Sequence, residues 1–132
     1  MSASRVFANA PAAVAGARHF VNGELLDIPR NVADDIAVMV SELATNCVRH
    51  TDTDFSVRVE QSSTQIRVEV TDAGDGTPAI RSPAPSDLTG RGLRIVRELA
   101  DSFGFRPATG SPGKTVWFVV ELRAEGSRAE AR

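Results

Sequence analysis

The chain has very little cysteine and no long apolar run. Cys47 is the single cysteine among 132 residues, so no internal disulfide can form, and its place in an apolar helical pattern predicts buried packing. No segment approaches the roughly 20 consecutive apolar residues that a membrane span needs. These absences favour a reducing, cytoplasmic location and predict that the protein has no membrane partner.

An excess of charge of either sign is also missing. The 15 basic and 17 acidic residues give a net charge of -2, so the chain lacks the basic field that attracts nucleic acid. The alanine-rich stretch 8–17 does not fit a secretory signal peptide, because Pro11 interrupts it and only Arg5 precedes it as a positive charge. We therefore expect no nucleic-acid partner and no cleaved leader.

What the chain does have is clear hydrophobic periodicity. Apolar residues at helical spacing predict three helices, over residues 11–21, 31–50 and 92–101. Alternation of apolar and polar residues predicts strands over 55–60 and 66–71, followed by a hairpin of 103–105 with 115–122. This order predicts an α+β fold, a two-layer sandwich with helices on one face of a mixed, mainly antiparallel sheet.

The length and composition fit one compact domain. A chain of 132 residues with 42% hydrophobic content is long enough for one core and too short for two ordinary domains. The last ten residues are charged, small and aperiodic, which is typical of a segment that cannot form a core. We predict a single domain over residues 1–122 and a disordered tail over 123–132.

The helix predicted over residues 31–50 carries polar side chains beside its buried face. Asn31 is placed to cap its first turn. Glu42, Asn46 and His50 recur every four residues, so they project from one side of the helix. A carboxylate can take a proton from a hydroxyl, and an amide oxygen suits the Mg²⁺ that binds substrate phosphates, so this face is equipped for phosphoryl transfer. The neighbouring buried stripe is predicted to contain Val32, Ile36, Val40, Leu43 and Cys47.

Two further motifs follow in order along the chain. Asp72-Ala73-Gly74-Asp75-Gly76 stands at the end of a predicted strand, and Gly90-Arg91-Gly92-Leu93 opens a predicted helix. With Glu42-x-x-x-Asn46-x-x-Arg49-His50, they resemble the two glycine boxes and the N box of the GHKL (Bergerat-fold) ATPases. Each motif alone is weak, since an Asp followed by glycines is usually a turn, but the ordered set over residues 31 to 122 is specific.

The resemblance implies a role for each polar residue on the long helix. Asn46 would ligate Mg²⁺, Glu42 would act as general base, and Arg49 and His50 would lie near the phosphates of ATP. A histidine at the end of a helix can also serve only to interact with the helix dipole, and that reading of His50 stays open.

The glycine motifs carry further implied contacts. Asp72 would accept a hydrogen bond from the adenine amino group, although simple turn initiation is the alternative. Gly74 and Gly76 would let the base approach closely, and the segment from there to Gly90 would form a lid over ATP. The free N–H groups of the following helix would face the phosphates. Arg91 could add positive charge there, and the alternative is an exposed loop arginine with no such role. The residues assigned to this second glycine box are Gly90, Arg91, Gly92 and Leu93.

A second glycine-containing segment has to be distinguished from a P-loop. Ala108-x-x-x-x-Gly113-Lys114-Thr115 resembles a relaxed P-loop, but the strand-like run that follows predicts a hairpin, whereas a P-loop joins a strand to a helix. Gly113 and Thr115 instead match the last conserved loop of the GHKL ATPases loosely, which implies that Thr115 contacts the nucleotide. Lys114 stands there in place of a glycine.

The resemblance is strongest to stand-alone anti-sigma-factor serine/threonine kinases, because the chain shows no dimerising phosphoacceptor helices and no large further domain. It implies ATP and Mg²⁺ as ligands, a sigma factor and an anti-anti-sigma factor as partners, and a homodimer. Two alternatives stay open. One is a nucleotide-gated module that binds a regulator without phosphorylating it, and the other is a histidine-kinase-type catalytic domain that acts in trans.

Overall fold

The described part of the chain folds into a five-stranded sheet with three helices. A computed structural model describes residues 1–72, 91–107 and 113–122, and of residues 91–93 it describes the backbone alone. Every described strand pairing is antiparallel, and the strand order is β1-β2-β3-β5-β4. The predicted α+β fold is confirmed, and within the described residues the sheet is antiparallel rather than mixed. The elements are β1 (Ser2–Phe7), α1 (Ala12–Glu24), α2 (Arg30–His50), β2 (Phe55–Gln61), β3 (Gln65–Asp72), α3 (Arg91–Leu99), β4 (Ser102–Pro107) and β5 (Lys114–Glu121).

The core lies between α2 and the central strands. Strand alternation sends Phe55, Val57 and Val59 of β2 toward the helices, and all three are buried, so the strand prediction is confirmed. Phe118 of β5 is fully buried on the same side. The predicted stripe of α2 faces this layer and is buried throughout. Met39 and Ala44, which lie between its members, are buried too. The stripe residues are Val32, Ile36, Val40, Leu43 and Cys47.

The start of α2 differs from the prediction. The helix begins at Arg30, and Pro29 occupies the cap position with an extended backbone and no side-chain hydrogen bond. The Pro29 carbonyl accepts from the backbone N–H groups of Val32 and Ala33 at 3.1 and 3.0 Å. Asn31 therefore lies inside the first turn, and the predicted cap was wrong because proline already fixes a backbone angle that suits a helix start.

Strand β1 was not predicted. Only Ala3 and Phe7 among its residues are partly buried, so the strand lacks a strong alternating signal. It is held by antiparallel pairing with β2, from Ser2 opposite Glu60 to Phe7 opposite Phe55. The two phenylalanine rings stack with centroids 5.6 Å apart, so an edge strand with a weak pattern gains its place through one aromatic pair.

The last two strands form the predicted hairpin. β4 pairs with β5 along its whole length, from Ser102 opposite Val119 to Pro107 opposite Lys114. Because Lys114 begins a strand, the segment before it does not join a strand to a helix, and the P-loop reading is excluded. The predicted lid over 74–90 and the predicted tail over 123–132 lie outside the described residues.

The second face of the sheet points away from the helices. On this open face, the Arg67 guanidinium lies 4.4 Å from the ring centroid of Trp117. Glu69 accepts from Arg67 Nε at 2.9 Å and lies 3.9 Å from Arg106 Nη2. The polar character predicted for this face is therefore present, with one tryptophan within it. Among the described helices, none is long and apolar enough to cross a membrane.

Candidate functional site

The polar face of α2 contains an amide whose nitrogen has no partner among the described residues. Glu42, Asn46 and His50 are all half-buried, whereas Arg49 is exposed. Asn46 Nδ2 is buried and makes no hydrogen bond within the part of the chain that the structure describes. A buried amide left in this state costs free energy unless a ligand satisfies it. The four residues lie on the last three turns of α2, as the sequence predicts, and Asn46 is the one that geometry marks for a ligand.

Strand β3 ends in a buried carboxylate. Asp72 is only 4% exposed and lies on the face of the sheet that α2 covers, two residues after the core residue Val70. Its Oδ2 accepts a hydrogen bond from Lys114 Nζ at 3.2 Å. The prediction of simple turn initiation for Asp72 does not account for a carboxylate held inside the fold beside an ammonium, because a turn carboxylate is normally solvated.

Cys47 connects the carboxylate to the helix. The pKa of the Cys47 thiol is raised to about 12, chiefly by burial and also by the Asp72 carboxylate, while the Lys114 ammonium acts to lower it. The three side chains are therefore electrostatic neighbours, one each from α2, β3 and β5. This arrangement places Cys47, the residue after Asn46, beside the ends of β3 and β5.

Thr115 lies on the other face of the sheet from Asp72. Its hydroxyl is 2.7 Å from the hydroxyl of Thr71, which stands directly opposite in the β3–β5 register. Because side chains alternate along a strand, the β5 residue beside Asp72 is Lys114. A nucleotide contact by Thr115 stays a prediction, and the sequence reasoning missed Lys114. The signal that could have found it is composition, since Lys114 is the single lysine of a chain whose other basic residues are arginines.

The end of α2 is held by a side chain from outside the helix. Asn9, in the segment between β1 and α1, donates through Nδ2 toward the carbonyl oxygens of Cys47, Thr51 and Thr53 at 3.2, 3.1 and 3.0 Å. The Thr51 hydroxyl also donates to the Cys47 carbonyl at 2.8 Å. Carbonyls at a helix C-terminus lack partners within the helix, so these contacts satisfy groups that would otherwise need water. The sequence reasoning did not identify Asn9, because its partners are distant in the chain.

The glycine motifs are described only in part. Helix α3 begins at Arg91 and packs beside α2, which confirms a helix start at the second glycine motif. Gly74, Gly76 and Gly90 lie outside the described residues, and for Arg91, Gly92 and Leu93 only the helical backbone is described. Their roles, like those of Glu42, Arg49 and His50, stay predictions.

These features together define a class of protein. Residues 7–120 match the histidine kinase-like ATPase domain family. The chain belongs to this family, and it is a GHKL ATP-binding domain of the kinase-like type. The predicted superfamily is thereby confirmed.

A particular relative is also similar in sequence. Over 91 residues the chain is 35% identical to blue-light-activated histidine kinase 2 of Erythrobacter litoralis (strain HTCC2594). The matched region covers 64% of this chain and 25% of that protein, so the chain spans about a quarter of the relative's length.

Proposed function

We propose that the chain is an ATP-dependent serine/threonine protein kinase that regulates a sigma factor and phosphorylates an anti-anti-sigma factor. The observation that carries this proposal is the Asn46 amide, whose buried nitrogen has no hydrogen-bond partner among the described residues and which shares one side of α2 with the Glu42 carboxylate. Family membership supports ATP as the phosphoryl donor. The sigma factor, the anti-anti-sigma factor and a homodimeric state rest on the resemblance to stand-alone kinases alone.

In the proposed reaction, a partner hydroxyl attacks the γ-phosphorus of ATP in line with the bond that breaks. The new bond joins the hydroxyl oxygen to the γ-phosphorus, the bond from phosphorus to the bridging oxygen of ADP breaks, and Glu42 accepts the hydroxyl proton. Asp72 binds the adenine amino group. Mg²⁺ suits the oxygen of the Asn46 amide, and when bound it would offset negative charge on the phosphates.

A second candidate is a catalytic domain that phosphorylates a histidine on another protein. The observation that favours it is the similarity to a blue-light-activated histidine kinase. The two candidates share the nucleotide site and differ in the atom that receives the phosphoryl group. Phosphohistidine is acid-labile, whereas phosphoserine and phosphothreonine survive acid, so the chemistry of the product distinguishes them.

The experiment is intact-mass measurement of a candidate anti-anti-sigma factor after incubation with the protein, ATP and Mg²⁺. We expect a gain of one acid-stable phosphoryl group. We expect Glu42→Gln to reduce the rate by about 100-fold or more while ATP affinity changes little, because the removed group accepts a proton. Glu98→Gln, an exposed change of the same type on α3, is the matched control and should leave the rate unchanged.

The other outcomes separate the alternatives. An acid-labile product on a histidine-containing acceptor would replace the serine/threonine assignment. ATP binding without transfer to either acceptor would favour a nucleotide-gated module that binds its regulator without phosphorylating it. An undiminished rate in Glu42→Gln would overturn the assignment of the base.

A further inference from the structure

The ion pair between Asp72 and Lys114 has hydrogen-bonding capacity to spare. Lys114 Nζ lies 3.2 Å from Asp72 Oδ2, and within the described residues this is the one hydrogen bond that either side chain makes. An ammonium has three N–H donors and a carboxylate has two oxygens that accept. A ligand that enters beside the pair therefore meets an acceptor, Oδ1, and N–H donors that make no other hydrogen bond with the described residues.

The position of the pair is where a base would bind if the proposed function holds. Asp72 and Lys114 stand at the adjacent ends of β3 and β5, on the face that α2 covers, and Cys47 of α2 is their electrostatic neighbour. The Asp72 side chain is 5% exposed and the Lys114 side chain 27% exposed. The carboxylate is thus inside the fold, while the ammonium is partly open to an incoming molecule.

The use of lysine here matters because arginine would behave differently. A guanidinium is a planar fork that tends to bind both oxygens of a carboxylate at once, whereas an ammonium is a compact donor that engages one and keeps two N–H groups free. Lys114 is the single lysine of the chain. At this position lysine leaves Oδ1 available, which a bidentate arginine would occupy.

We propose that Lys114 determines base specificity: its ammonium donates to ring nitrogen N1 of adenine while Asp72 Oδ1 accepts from the adenine amino group. This inference rests on the proposed function, since it concerns the same nucleotide site. The amino nitrogen and N1 of adenine share one carbon, so they are spaced much like the two oxygens of a carboxylate. The amino group of the base, a donor, then meets Asp72 Oδ1, and the neighbouring N1, an acceptor, meets the Lys114 ammonium.

The ion pair persists when the base binds. Removing the ammonium from a carboxylate this deeply buried would leave an uncompensated charge, which is strongly unfavourable. Adding the base to the pair breaks no existing contact and satisfies groups that are otherwise left to water. Lys114 is therefore a component of the bound site rather than a competitor for it.

The test measures how the effect of Lys114 depends on one atom of the ligand. Calorimetry would give the affinities of the wild type and of Lys114→Met for ATP and for 1-deaza-ATP, in which a C–H group replaces N1. A hydrogen bond to a charged donor predicts that loss of N1 weakens binding to the wild type by about tenfold or more. In Lys114→Met the same loss should have little effect, because its partner is gone.

Two controls exclude a general effect. The analogue 7-deaza-ATP lacks a different ring nitrogen. Its affinity relative to that of ATP should be the same for the wild type and for Lys114→Met. Arg106→Met removes one positive charge from the open face, where Arg106 lies 3.9 Å from Glu69, and should keep the full penalty for 1-deaza-ATP. If Lys114→Met does not fold, NMR of the isotope-labelled lysine in the wild type replaces it: its ε-carbon signal should shift with ATP and much less with 1-deaza-ATP.

The outcomes separate this inference from the function on which it rests. Absence of ATP binding by the wild type would overturn both. ATP binding with an equal 1-deaza penalty in wild type and Lys114→Met, or a lysine signal that responds equally to both nucleotides, would overturn the role of Lys114 and leave the kinase proposal standing.

Discussion

Asp72 at the end of β3 and Lys114 at the start of β5 place opposite charges at the edge of the core. A carboxylate, an ammonium and a thiol meet where α2 crosses the sheet, and the first of them is almost completely buried. A buried ion pair adds little to stability by itself, because desolvation offsets much of the attraction. The ligand recognition proposed for Asp72 and Lys114 gives this pair a role that stability alone does not.

The thiol in this group makes stability depend on alkaline pH. The ordinary pKa of cysteine is 9.0, and in the fold that of Cys47 is raised to about 12, chiefly by burial. The folded state therefore holds the proton more tightly than the unfolded state. Its contribution to the unfolding free energy is complete below about pH 9 and is lost as the pH rises toward about 12.

We expect Cys47→Ala to lose less stability than the wild type across that alkaline window. The measurement is the unfolding free energy from urea denaturation of both proteins, below and within the window. Each pKa unit corresponds to about 1.4 kcal/mol, so the difference between the two slopes should be readily measurable. Parallel curves for the two proteins would show that the thiol does not ionise differently on unfolding.

At the scale of elements, α2 depends on a contact from a residue that precedes its partner in the helix by 38 positions. Asn9 Nδ2 lies within hydrogen-bonding distance of three carbonyl oxygens at and beyond the end of this helix, which carries Asn46 and His50 in its last turns. The polar face can be held in place only if the helix end does not fray. Asn9 is thus a positioning residue for the candidate site, and it acts through the backbone of α2.

We expect Asn9→Leu to lower the unfolding free energy by about 1–3 kcal/mol, because it removes the donor that the partly buried carbonyls of Thr51 and Thr53 share. Hydrogen exchange followed by mass spectrometry should show faster exchange in a peptide that covers the last turn of α2. A peptide from α1 serves as the internal reference. Unchanged exchange at the end of α2 would contradict the role assigned to Asn9.

The β4–β5 hairpin depends on a glycine for its close approach to an aromatic ring. A Cβ atom added at Gly104 would lie 2.8 Å from Trp117 Cζ2 and 3.0 Å from Cε2. The ring cannot easily move away, because the Arg67 guanidinium lies 4.4 Å from its centroid. Glycine is therefore required at this position by packing across the hairpin.

We expect Gly104→Ala to lower the unfolding free energy by about 1–3 kcal/mol through this steric conflict. Gly23→Ala is the matched control, since nothing lies within 4 Å of a Cβ at that position in α1. In a helix the control change should be neutral or stabilising by about 0.5–1 kcal/mol. Thermal or urea denaturation of both variants gives the comparison, and equal effects would refute the packing argument.

At the scale of the whole molecule, periodicity accounts for most of what could be predicted. The buried stripe of α2 and the alternation in β2 follow directly from spacing, because burial of one face determines which residues are apolar. Strand β1 could not be found in this way, since as an edge strand it buries little and depends on pairing with residues about fifty positions away. Pro29 shows that a fixed backbone angle can replace the side-chain cap expected from Asn31.

The types of residue in the candidate site could be predicted from the sequence. The face of the sheet on which each side chain lies was harder to predict. The positions of Glu42, Asn46 and Asp72 follow from a helix and a strand with strong patterns. The side of the sheet that each β5 residue occupies depends on register, and a shift of one position exchanges the two faces. The family resemblance indicated Thr115, whose nucleotide contact stays a prediction, and the register places Lys114 as the side chain that contacts Asp72.

Strand β5 also provides the protein with two native probes. Its single lysine and its single tryptophan are three residues apart, so they emerge on opposite sides of the same strand. Isotope-labelled lysine would detect events beside Asp72, and tryptophan fluorescence would detect events on the open face near Arg67. A ligand that alters one signal and leaves the other unchanged identifies, without any engineered label, the side of the sheet to which it binds.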